Sequence, residues 1–184
     1  MQEEGQHPAP ASRPQEPSVP ESGPGLDAFN TAVDGPMYVV TAASRGKRAG
    51  CLVGFASQCS IDPPRFVVWL STANHTHTVA RSARYLTVHL LRSDQRALAE
   101  LFGGRTGDRV DKFARTGWRP GRDGGPVLSD AVDWFTGRIQ GVIAGGDHEG
   151  FLLSPVDESP PAPGPRVQPL RYADVRDLKP GHPA

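Results

Sequence analysis

The tightest constraint on this fold is a series of short β-branched and aromatic runs, each closed within a few residues by Gly or Pro. Met37–Ser44 (MYVVTAAS) ends at the turn RGKR around Gly46, and an extended run resumes from Ala49 to Ser60 (AGCLVGFASQCS). Ile61-Asp62-Pro63-Pro64 must interrupt any ladder, because proline has no N–H to donate, and RFVVWLS then starts another strand. Tyr85–Leu91 is a further strand, with Leu86, Val88 and Leu90 on one face. WFTGRIQGVIAGG and DHEGFLLSPV read as two more, joined near Gly145-Gly146-Asp147. Two short helices interleave. One starts at Asn74 or Thr76 and runs through Arg81, and one is capped by Ser93 and closed by Gly103-Gly104. Thr106–Leu128 is polar and Gly-rich and reads as loop, with at most a helical turn. About six strands joined mainly by tight turns predict a mainly β chain, a small antiparallel β-barrel with short helices, over a doubly wound sheet.

The chain of 184 residues has room for one domain and its tails. Residues 1–25 are rich in Pro, Glu, Ser and Gln without apolar periodicity, so they are expected to form a disordered Pro-rich tail. Folding is expected over residues 26–156. Residues 157–184 then form a Pro-rich linker (DESPPAPGPR) and a C-terminal segment, VQPLRYADVRDL, that docks on the domain.

Twenty Lys+Arg balance twenty Asp+Glu with no basic run, which argues against nucleic acid or an anionic membrane as partner. The longest apolar stretches, such as Phe66–Leu70, are too short to span a bilayer, and the first 25 residues lack the apolar core of a secretory signal. A soluble, cytoplasmic protein is the expectation. Cys51 and Cys59, on a straight strand, would lie about 26 Å apart at roughly 3.3 Å per residue, far outside disulfide range.

Several chemistries are excluded by motif: GxGxxG after a strand, GxxxxGK[ST], GxSxG and HExxH are all absent. His75-x-His77 has no third ligand nearby, so no metal site is expected. Three polar pieces remain. They are the strand end Ser57, Gln58 and Ser60, the turn Ser71–Thr76, and the Gly146-Asp147-His148 corner. A phosphate held without a P-loop needs backbone N–H groups, hydroxyl or amide donors and a helix start, which the turn at Asn74 offers. A flat ring needs close backbone approach, which Gly50, Gly54 and Ala56 permit.

The text VVTAASRGKRAGCLVGFASQCSIDPPRFVVWLSTANHTHTVARSARYLTVHLL, followed by RALAELFGG, DKFARTGW, GGPVLSDAVDWFTGRI and GDHEGFLLSPV, resembles the flavin reductase-like family with the FMN-binding split β-barrel. The resemblance runs from about Met37 to Val156. It implies a homodimer with FMN, or FAD, near the subunit interface and NAD(P)H as electron donor. It maps Ala49, Gly50, Cys51, Leu52 and Val53 onto the strand along the flavin ring. Ser57, Gln58, Cys59 and Ser60 map onto the ribityl and phosphate side, with Asn74, His75 and Thr76 completing the phosphate site. His148 is the residue expected to position the hydride donor, with Asp147 as its orienting partner. Leu52 and Gln58 stand where the family often has Thr and Ser, and Ser154 where Gly is common.

The function so implied is an NAD(P)H-dependent flavin reductase, such as the reducing component of a two-component monooxygenase. The alternatives are a split-barrel reductase using a deazaflavin, or a non-catalytic flavin- or haem-binding carrier or sensor.

Overall fold

The computed structural model describes residues 25–105, 107, 110–161 and 167–181. The expected tail at 1–25 therefore lies outside the described residues except for Gly25, as does part of the Pro-rich linker. The elements are α1 (Asp27–Val33), β1 (Tyr38–Ser44), β2 (Lys47–Val53), β3 (Ala56–Ser60), β4 (Arg65–Ser71), α2 (His75–Ala80), β5 (Tyr85–Leu90), α3 (Arg96–Gly103), β6 (Trp118–Pro120), β7 (Pro126–Leu128), β8 (Asp133–Ala144) and β9 (His148–Glu158).

Seven strands form one antiparallel sheet in the order β2-β1-β5-β8-β9-β4-β3. The two edge strands, β2 and β3, are neighbours in the chain, separated only by Gly54 and Phe55. The sheet must therefore curl until its edges meet, and the Trp69 N–H, donating to the Phe55 carbonyl at 2.9 Å, carries the β3–β4 pairing up to that corner. This is a split barrel. Its first hairpin pairs Ser44 with Lys47, leaving Arg45 and Gly46 as a two-residue loop with φ of +50° and +77°. Those values fit a type I′ turn, whose twist matches the strands, and Gly46 meets its second position without strain.

One core fills the barrel with Val40, Ala42, Cys51, Val53, Val68, Leu70, Leu86, Val88, Phe151 and Leu153. A second, outside it, packs Val39, Leu91, Phe102, Phe113, Leu128, Leu170 and Val175. β1 is thus buried on both faces, which is why its sequence reads as a continuous apolar run rather than an alternation. Leu170 joins this second core by accepting from the Met37 N–H and donating its own N–H to Leu91, both at 2.8 Å.

Three sequence expectations need correction. The run from Ala49 to Ser60 is two strands, not one, because the chain breaks at Gly54-Phe55 to change sheet edge. Ser93 does not cap α3: the N-cap position is Gln95, whose side chain instead accepts from the Arg92 N–H at 2.9 Å. The Thr106–Leu128 region contains the β6–β7 hairpin where loop is expected, while a helical turn is present there at Lys112–Ala114. Helix α1 was not anticipated, and it buries none of its residues.

Candidate active site

The β8–β9 turn brings Asp147 and His148 to the rim of the barrel. Gly146 there has φ of +92°, a conformation that L side chains rarely adopt. The corner is docked on the turn after β4, because Thr72 donates to the Asp147 carbonyl from both its N–H, at 2.9 Å, and its hydroxyl, at 3.1 Å. His148 Nδ1 lies 2.9 Å from the Asp147 carboxylate. That contact holds the Asp147 carboxyl below its usual pKa, through the hydrogen bond first and charge second. With Nδ1–H donating to Asp147, Nε2 is the ring atom available to a ligand.

The His148 ring meets Phe55 edge to face, with centroids 5.5 Å apart. Trp69 packs beside them on Gly145 and Gly150, where a Cβ would stand 2.4 and 2.9 Å from its ring. A cavity of about 330 Å³ opens here, lined by Leu26, Asn30, Phe55, Trp69, Asp147 and His148. Phe55, Trp69, Leu26 and Asn30 were missed at the sequence level. The available signal for Phe55 was its neighbour Gly54, which breaks the strand and frees the ring from the core.

On β3, Ser57, Gln58 and Cys59 are exposed and Ser60 is half-buried. Gln58 Nε2 donates to the Ser60 carbonyl at 3.0 Å. β3 pairs with β4 on one side and is a sheet edge on the other, so its outward backbone groups have no ladder partner among the described residues. At the polar turn, Asn74 is the N-cap of α2, and its side chain accepts from the Thr76 N–H at 2.9 Å. One donor expected to face a phosphate is therefore already used.

The β2 residues behave differently. Ala49, Cys51 and Val53 are buried in the barrel core. Leu52 packs against α3, where a Cβ on Gly103 would stand 2.9 Å from Leu52 Cδ2. The ring approaching Gly50 is that of Phe102, 2.8 Å from the position of a Cβ there. Cys51 hydrogen-bonds Thr76, and burial pushes its thiol pKa up to about 11, so it is no thiolate nucleophile at neutral pH. His75 sits against Gly107. The structure thus joins β2 to His75 and Thr76 in one group and Asp147, His148 and Phe55 in another, with Thr72 tying the turn before α2 to the second.

Both histidines of His75-x-His77 lie on α2, and His77 Nε2 is 2.7 Å from Glu149. Among the described residues no cluster of three or more metal-ligating side chains occurs. No helix among them is long and apolar enough to cross a membrane. The exposed hydroxyl of Ser57, the amides of Gln58 and Asn74 and the open β3 edge fit a flavin, whose ring edge and ribityl chain need hydrogen-bonding groups of both signs.

A model of the flavin reductase like domain matches residues 31–176. The chain is 34% identical over 114 residues to an FMN reductase (NADH) of Methylorubrum extorquens, covering 61% of this chain and 56% of that protein. It is 32% identical over 119 residues to the reductase component of the 4-nitrophenol 4-monooxygenase/4-nitrocatechol 2-monooxygenase of Rhodococcus opacus, covering 65% and 62%. The chain spans less than two thirds of the length of either relative. Among solved structures it is similar to the FMN-binding protein of Thermus thermophilus, with a TM-score of 0.68, 26% identity, and 78% of this chain and 80% of that one covered. The matched span takes in the strands, the polar turn and the Asp147-His148 corner described above, and this chain belongs to the flavin reductase-like domain family.

Proposed function

We propose that this chain is a flavin reductase that uses NADH to reduce FMN, with FAD as a second flavin it accepts, and that it acts as a homodimer. The observation that carries the reading is the double hydrogen bond from Thr72 to the Asp147 carbonyl. It makes the polar turn and the His148 corner one rigid unit beside the open edge of β3.

A bound flavin supplies the ring chemistry that accepts hydride from a nicotinamide and passes electrons on. On this reading Ser57, Gln58, Cys59 and Ser60 approach the ribityl chain and phosphate. Asn74, His75 and Thr76 bound the phosphate. The β2 segment from Ala49 to Val53 contributes backbone and shape, since its side chains are committed to the two cores. His148 orients the nicotinamide donor through Nε2, and Asp147 fixes the imidazole tautomer from the other side. Phe55 and Trp69 form an apolar wall of the 330 Å³ cavity, against which a flat ring can stack.

The reductase names of the relatives support turnover over the carrier or sensor reading, and FMN over a deazaflavin or haem. The Rhodococcus relative is a reductase component, which supports a monooxygenase as the partner that consumes the reduced flavin. The dimer is supported by α1 and its N-cap, which expose Leu26, Phe29 and Val33, with Leu26 also lining that cavity. Titrating the protein with FMN by flavin fluorescence, then adding NADH or NADPH anaerobically, tests the function. Bleaching by NADH is expected, and bound flavin that stays oxidised with both donors would overturn the reading.

A further inference from the structure

Lys112 opens the 3-10 turn between α3 and β6 and is only 4% exposed. Its ammonium donates to the Gly50 carbonyl of β2 and to the Phe102 carbonyl of α3, both at 2.9 Å. Each is a group that secondary structure leaves short of partners. β2 is a sheet edge, and Phe102 stands in the last turn of α3, where carbonyls have run out of intrahelical N–H groups. The Phe102 ring completes the arrangement. It lies 5.4 Å from Lys112 Nζ and covers Gly50 so closely that a Cβ there would meet it at 2.8 Å.

We propose that Lys112 is a positioning residue for the flavin site, locking β2 to α3 and so setting the course of the Cys51–Gly54 segment that leads into β3. The inference rests on the flavin reading above. β2 carries the effect onward in two directions. Cys51 is hydrogen-bonded to Thr76 of α2, and Gly54-Phe55 delivers the chain to the open β3 edge and to the His148 ring. A shift of β2 therefore moves both groups of candidate residues at once.

Burial lowers the Lys112 pKa to about 8, so the ammonium loses its proton within an accessible range. A neutral amine makes weaker hydrogen bonds to carbonyls than an ammonium does. The titratable neighbours are Cys51 and Arg48 on β2, His75 on α2 beside Gly107, and Asp111 next in the chain; α3 presents the uncharged Phe102. The Cys51 thiol, raised to about 11, stays neutral throughout.

The test is the FMN dissociation constant, read by flavin fluorescence from about pH 6.5 to about pH 9, for the wild type, Lys112→Met and Lys112→Arg. Wild-type affinity is expected to weaken as pH rises through about 8. Lys112→Met should bind about tenfold more weakly at neutral pH and show no such inflection. Lys112→Arg, which keeps its charge across the range, should recover most of the affinity and also lose the inflection. Unchanged affinity in a folded Lys112→Met, or an inflection that survives it, would overturn the inference. Should that variant not fold, the wild-type profile and Lys112→Arg decide: an inflection retained in the arginine variant, or absent from the wild type, overturns it. A wild type that binds no FMN at any pH instead overturns the flavin reading itself.

Discussion

The carbonyl oxygen of Asp147 accepts two hydrogen bonds from Thr72, one from its backbone N–H at 2.9 Å and one from its hydroxyl at 3.1 Å. The two residues are 75 positions apart in the chain. Their contact makes the β8–β9 tip an extension of the turn before α2, so the His148 ring is held relative to the polar turn by more than a flexible hairpin.

Thr72→Val removes the hydroxyl bond while keeping the backbone one. The loss is worth about 1 kcal/mol. The rate of anaerobic flavin reduction by NADH should fall by about fivefold, with FMN affinity little changed. Stopped-flow absorbance measures the first and fluorescence titration the second.

His148→Ala removes the ring that faces Phe55 and the proposed donor position. The expected result is a rise in KM for NADH and a fall in kcat/KM of about tenfold to a hundredfold, with FMN still bound. Equal kinetics in this variant would remove His148 from the site.

His89 is fully buried, with Nδ1 donating to the Val39 carbonyl and Nε2 accepting from the Leu128 N–H. Only the neutral ring makes both bonds, and burial lowers its pKa from 6.5 to about 4. The unfolded chain therefore binds a proton that the folded one refuses between these values. Stability is full above about pH 6.5 and declines as pH falls to about 4, by roughly 3 kcal/mol in total. Urea midpoints across this window should show the decline, and His89→Gln should flatten that part of the profile.

Gly150→Ala places a methyl 2.9 Å from the Trp69 ring in a packed layer. A destabilisation of about 1–3 kcal/mol is expected from overpacking, together with a shifted Trp69 emission. Denaturant unfolding followed by fluorescence reads both.

Phe29→Asp puts a charge on the exposed apolar face of α1. Sedimentation at micromolar concentration should show the wild type as a dimer and this variant shifted toward a monomer with unchanged helix and strand content. A wild type that sediments as a 19.7 kDa monomer would remove the proposed dimer.

The local signals in the sequence were strong where short-range chemistry decides the outcome. Arg45-Gly46 between two extended runs specifies a hairpin, Pro63-Pro64 ends a strand, and Asn74 or Thr76 starts a short helix, with the structure choosing Asn74 as the cap, because each depends on φ preferences or side-chain-to-backbone bonds within a few residues. The barrel came from the pattern of short runs and from family resemblance, whereas the order of its strands came only from the structure. Where the sequence suggests one extended run across Gly54-Phe55, the competing requirement is sheet closure, which no local pattern encodes.

By itself, then, the sequence determined the mainly β chain, its turns, the start of α2 and the candidate residues Ser57–Ser60, Asn74–Thr76 and Asp147-His148. Tertiary structure alone decided which of these share a surface. It filled the space over Gly50 with Phe102, buried Cys51 and drew Lys112 to two distant carbonyls. It also placed Phe55 against His148 and bound Thr72 to Asp147. The reason is physical: a strand end or a cap is set by neighbours in the chain. A ring packed on a glycine or an ammonium shared by two orphan carbonyls depends on groups that only a closed sheet brings together.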